Sequence, residues 1–142
     1  MSRLGMTYEV ESMAEVTGEF NVKKWDEQPY AELEAGKLTR AEIEADLAGG
    51  LTGAGRVVWL MCYRADETAE YLGFLDLEVT LDGRGGGFVV SSSGTFDGER
   101  AAGPWTIVEG TGRGSLAGIR GSGSFDAPHG GTATYRLTYE LG

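Results

Sequence analysis

From Ala14 onward apolar and polar positions alternate: Ala14, Val16, Gly18, Phe20 and Val22 against Glu15, Thr17, Glu19, Asn21 and Lys23. A repeat of two puts each set on one face of a pleated strand, so a half-buried first strand is expected here. Trp25-Asp26-Glu27-Gln28-Pro29-Tyr30 is expected to break it, because proline has no N–H to give to a ladder. Between Leu38 and Leu47, Ala41, Ile43, Ala45 and Leu47 alternate with Arg40, Glu42, Glu44 and Asp46. Thr39-Arg40-Ala41-Glu42 resembles a helix capping box, but the period of two outweighs it and predicts a strand. Arg56 to Tyr63 is apolar at both parities, as in a central strand. Glu70 to Leu81 places Tyr71, Gly73, Leu75, Leu77 and Val79 on one side. Further strands are expected at Phe88–Phe96, Ala101–Glu109, Ile119–Ala127 and Thr132–Leu141, with Asp82-Gly83 and Asp97-Gly98 as tight turns. Eight strands on short turns predict an all-β protein. The expected architecture is a closed eight-stranded antiparallel β-barrel, lipocalin-like in outline, because closure removes the edges that aggregate. Residues 1–12 are polar and unpatterned and read as a flexible arm, leaving 13–142 as a single barrel domain.

Composition narrows the classes further. The 142 residues include 24 glycines but only 3 prolines, with no Gly-x-y period, which excludes collagen and suits a turn-rich β fold. There are 22 acidic against 12 basic side chains, a net charge of −10. Phosphate neutralisation needs a concentrated basic surface, so neither nucleic acid nor an anionic membrane is an expected partner. The single cysteine, Cys62, rules out an intramolecular disulfide; within Val57-Val58-Trp59-Leu60-Met61-Cys62 it reads as a small buried hydrophobe. Met1 to Glu9 contains no apolar core of a secretory leader, and no apolar run approaches the roughly 20 residues of a membrane helix. A cytoplasmic location is the expectation.

The apparent motifs carry little chemistry. Gly110-Thr111-Gly112-Arg113-Gly114 invites a dinucleotide reading, yet a strand from Ile119 follows where that motif needs a helix. Gly83-Arg84-Gly85-Gly86-Gly87 lacks the Gly-Lys-Ser/Thr end of a phosphate loop. The one histidine, His129, with one distant cysteine makes no recognisable metal spacing, and no nucleophile elbow accompanies it. No metal and no cofactor are therefore expected. Glu42 with Glu44 and Asp76 with Glu78 fall on shared strand faces, read as solvated outer faces. Trp25, Trp59, Tyr63, Tyr71, Phe88 and Trp105 are expected to share the interior, since eight-stranded barrels either fill with side chains or hold one small ligand.

The order of short motifs adds a resemblance. Gly18-x-Phe20-x-Val22-x-x-Trp25-Asp26-x-Gln28-Pro29-Tyr30, Leu38-Thr39-Arg40-Ala41, Tyr71-Leu72-Gly73, Leu81-x-Gly83-Arg84-x-Gly86-x-Phe88, Ser93-Gly94-Thr95-Phe96 and Gly110-Thr111-Gly112-x-Gly114-x-Leu116-x-Gly118-Ile119-Arg120-Gly121 together resemble the bacterial DUF3224 family over Ala14 to Leu141. The resemblance implies a barrel similar to those of allene oxide cyclase and the dirigent proteins, and brings no established activity. It further implies a glutamate in many relatives where this chain has Leu75 and a histidine where it has Ser92. Without both, the chain lacks that acid/base pair, because a serine hydroxyl does not titrate near neutrality.

The function expected on these grounds is the binding of a small apolar molecule. Arg40 and Ser92 are the expected polar anchors, with Trp105, Phe88 and Tyr63 supplying aromatic surface. Two alternatives stand beside it: a cyclase or isomerase that steers its substrate by shape and fixed dipoles, and a filled, non-catalytic barrel acting through its surface as a homo-oligomer. A cavity smaller than about 300 Å³ would favour the last.

Overall fold

Nine strands in one sheet account for nearly all the residues that the structure, a computed structural model, describes: 13–128 and 131–142. The arm expected at 1–12 and His129 lie outside the described residues. In chain order the strands are β1 (Ala14–Leu33), β2 (Gly36–Gly49), β3 (Leu51–Arg64), β4 (Ala69–Leu81), β5 (Arg84–Phe96), β6 (Arg100–Ile107), β7 (Arg113–Gly114), β8 (Ile119–Pro128) and β9 (Ala133–Leu141). They follow the order β4-β3-β2-β1-β9-β8-β6-β5, and β4 pairs with β5 to close the ring. The result is the expected all-β, closed eight-stranded antiparallel barrel, with the two-residue β7 as an extra strand on β5.

Closure converts the period-two pattern into an inside and an outside. Ala41, Ile43, Ala45 and Leu47 of β2 are buried while Arg40, Glu42, Glu44 and Asp46 are exposed, so strand and not helix forms there. β4 behaves in the same way, with Tyr71, Leu75, Leu77, Val79 and Leu81 buried. Asp82 and Gly83 both take positive φ, +51° and +76°, the geometry of a two-residue hairpin turn matched to strand twist.

Two expectations are corrected. Pro29 does not end β1, which continues to Leu33. β1 pairs with β9 only from Ala14 to Phe20; beyond that it pairs with β2 alone, with a register shift between Pro29 and Ala31. A proline on a free edge removes no ladder bond. Cys62 is exposed, not buried, because Met61 and Tyr63 take the inward positions of β3 and the residue between them must point out.

The two ends of the barrel differ. At the end where β4 turns into β5, Leu51, Leu77, Leu81, Phe88, Leu137 and Ile119 pack without accessible surface to spare, and Leu116 from the β6–β8 connection is buried among them. Arg113 ties that connection to the wall, donating to Asp76 Oδ1 and Glu78 Oε1, both at 2.8 Å, and to the Leu77 carbonyl. This end is a filled core.

Candidate functional site

The opposite end is hollow. A cavity of about 570 Å³ opens where β1 has parted from β9, lined on one side by β1 from Phe20 on and on the other by Ala127, Pro128, Gly131, Thr132 and Ala133. Its size is within the range of small-molecule sites. Trp59, Tyr71, Trp105, Phe125, Phe20 and Trp25 are among its lining residues, together with Met61, Tyr63, Leu75 and Phe96. None of the described lining residues carries a charge.

Alternation along five strands brings these rings together. Trp59 meets Tyr71 edge-on with centroids 4.9 Å apart and lies parallel to Phe125 at 6.2 Å. Trp105, 1% exposed, stacks on Tyr135 at 5.5 Å and 10°, forming the boundary between the cavity and the filled core. Small residues leave the space: Ala101, Ala127 and Ala133 line the cavity where larger side chains would occupy it. Trp105 Nε1 and Tyr71 Oη have no hydrogen-bond partner among the described residues. Both atoms are buried, and the polar part of the lining comes from Asn21, Tyr63 and Thr132 in a surface that is mostly apolar. Burial alone pushes the Tyr71 phenol up to about 12, leaving it protonated at neutral pH.

One polar cluster stands at the rim. Glu27 on β1 accepts hydrogen bonds from Thr39 Oγ1 at 2.6 Å, Tyr63 Oη at 2.9 Å and Trp25 Nε1 at 2.9 Å, which joins β1, β2 and β3 through one carboxylate. Burial pushes that carboxyl up, but the three donors and the charge of Lys37 outweigh it and hold the group below its ordinary value. Tyr63 responds in the opposite sense: burial, then the bond to Glu27 and its charge, raise the phenol to about 12. Lys37 Nζ sits 5.3 Å from the centroid of the Tyr63 ring. A carboxylate accepting three bonds is a fastening for the half of β1 that has parted from β9, and a poor base.

Of the five residues expected to bind a ligand, Trp105 and Tyr63 line the cavity. Phe88 is fully buried in the filled end and does not reach it. Ser92 faces inward but is buried in the wall, donating to the Pro104 carbonyl at 2.7 Å. Arg40 stands outside the barrel, 3.3 Å from Glu42, because its neighbours Thr39 and Ala41 take the inward positions. The cavity therefore has neither of the polar anchors expected for it. Phe125, Phe96 and Met61 belong to the lining and were not singled out from the sequence. Their parity on the strands marks them as inward, but only the register across β8 and β9 opposes Phe125 to Tyr135.

The profile described as "Protein of unknown function (DUF3224)" matches residues 16–139. No curated protein matches the chain. A solved structure, that of a protein with unknown function from the DUF3224 family of Shewanella oneidensis MR-1, is 24% identical. It superposes with a TM-score of 0.79 over 92% of this chain and 98% of that one, a likeness of fold.

Proposed function

The chain belongs to the DUF3224 family, and within that family we propose that it binds one small, uncharged, largely apolar molecule in the open end of its barrel. The observation that carries this reading is the 570 Å³ cavity walled by aromatic rings with no charged side chain among its described lining residues. Burying apolar ligand surface there is worth about 25 cal/mol per Å² before the costs of association. A carboxylate would lose its hydration with no cation among the described lining residues to receive it, beside the Glu27 carboxylate that Lys37 already faces and in a protein of net charge −10. The reading therefore separates neutral ligands from fatty acids. Aromatic molecules suit this wall, because Trp59, Tyr71, Trp105 and Phe125 offer ring faces and edges for a further ring to stack on or abut.

The test is a matched pair, a naphthyl ketone and the naphthoate of the same ring size, titrated against tryptophan fluorescence. The ketone is expected to bind and the naphthoate to bind at least tenfold more weakly. Ala127→Trp, which fills the cavity from its mouth, should abolish the ketone signal while leaving the fold intact. Failure of every neutral planar ligand, or equal binding by the carboxylate, would overturn the reading.

A further inference from the structure

Most outward positions of this barrel are polar or charged, as the first strands show, but one face carries no charge. Val58, Phe74, Ser91 and Thr106 are direct cross-strand partners on β3, β4, β5 and β6 and form an uncharged row across four strands. The next row, Leu60, Leu72 and Ser93, is uncharged as well. Phe74, Leu72 and Leu60 are 59%, 56% and 40% exposed, although the interior pattern gives them no partner. Beside the Leu72–Phe74 ridge runs a groove of about 220 Å³, floored by Ser91 and Ser93 and bounded by Pro104 and Thr106. Ser91 Oγ already donates to the Thr106 carbonyl, so covering the groove does not strand that hydroxyl.

We infer that this face is the contact surface for a second copy of the same chain. Two arguments select that occupant. Ridge and groove lie side by side on one molecule, so a two-fold axis lying in the plane of the contact, parallel to the ridge and between it and the groove, places Phe74 of each copy in the groove of the other; such self-complementarity is what an isologous interface requires. The second argument is charge. A chain of net charge −10 repels its own copy over most orientations. Around this face, however, the acids are partly offset within the chain: Glu42 by Arg40, Glu70 by Arg64, and Asp76 and Glu78 together by Arg113. The two rows themselves carry no charge, so they bring no like charges face to face. The two uncharged rows with Pro104 offer only eight outward residues, fewer than the 20–30 a side of a standard interface. The dimer is accordingly one in equilibrium with monomer, sensitive to dilution.

Sedimentation velocity on the 142-residue chain over a broad dilution series tests this. The wild type is expected to move from dimer to monomer on dilution. Phe74→Glu puts a charge into the groove and should leave monomer throughout, with unchanged circular dichroism because the side chain points outward. Ser93→Lys, at the groove floor, is the second variant if Phe74→Glu misfolds, and should give the same result. Thr134→Glu, exposed on the far face at β9, should dimerise as the wild type does. A wild type that stays monomeric at the highest concentration, or a dimer that survives a folded Phe74→Glu or Ser93→Lys, overturns the inference. Because neither position lines the cavity, binding of the naphthyl ketone should be unchanged in both variants.

Discussion

Tyr135 and Leu51, on β9 and β3 and 84 residues apart, are joined twice through one hydroxyl: Oη accepts the Leu51 N–H at 2.7 Å and lies 3.0 Å from the Leu51 carbonyl. The Ala48 carbonyl, 2.8 Å away, is a further acceptor for the same proton. The ring reaches that point across Gly18 of β1, where a side chain would collide with the tyrosine and with Ala48. The glycine therefore makes room for a contact that ties the β2–β3 turn to the opposite wall. Tyr135→Phe is expected to cost about 1–3 kcal/mol, the penalty of leaving a buried backbone N–H unpaired. Urea denaturation measures it, and a loss below about half a kcal/mol would show that the hydroxyl is not needed.

Trp105 is held by stacking and burial, not by its N–H. Trp105→Ala removes an indole that is 1% exposed and should cost about 3–5 kcal/mol. Trp105→Phe keeps the stack on Tyr135 and gives up an Nε1 that has no partner among the described residues, so its loss should be clearly smaller. Equal losses in the two variants would reveal a partner for the indole N–H. The comparison is made by chemical denaturation.

Ser92→Phe should act on stability before it acts on any ligand. The residue is buried in the wall beneath Pro104 and does not line the cavity, so a phenyl ring there overpacks a filled region and should cost about 1–3 kcal/mol. Ser92→Ala loses only the bond to the Pro104 carbonyl, with an expected cost near 1 kcal/mol. Ligand affinity per folded molecule should be unchanged in Ser92→Ala. A folded Ser92→Ala with abolished ketone binding would place Ser92 in the site.

The Glu27 fastening makes stability depend on pH in a stated direction. The folded carboxyl is held below its ordinary 4.5, so the unfolded chain binds the proton more readily. The contribution is complete above about pH 4.5 and is lost as pH falls through the lower folded value. Unfolding free energies of wild type and Glu27→Gln should therefore differ by a constant amount near neutrality and converge in acid. A gap that is unchanged by acid would show that the carboxylate charge plays no part.

At the alkaline end, Tyr63 and Tyr71 both ionise late, near 12. Folding disfavours their phenolates, so the stability they carry is complete below pH 10 and falls as pH rises toward 12. Phenolate absorbance should show a component near 12 that Tyr63→Phe and Tyr71→Phe each diminish. An unchanged titration curve in both variants would contradict the burial of these two hydroxyls.

What the chain by itself determined is the kind of element and its parity. A period of two at Ala41–Leu47 or Tyr71–Leu81 requires strand, and Asp82-Gly83 supplies the positive φ of a hairpin, because both depend on neighbours in sequence. The absence of charge at Trp59, Tyr71 and Trp105 likewise marks them as interior candidates before any fold is known. What only the tertiary structure decided is who stands opposite whom. Parity says that Thr39 and Ala41 share a face, but not that this face is inside and Arg40 outside; closure of β4 on β5 settles that. It also splits the aromatics, putting Phe88 in the filled end and Trp59, Tyr71 and Phe125 around a cavity, since depth along the barrel follows from register and not from alternation. Pro29 shows the same limit. Its missing N–H looks like a strand break along the chain, and becomes harmless only because β9 begins at Ala133 and leaves that edge of β1 without a partner.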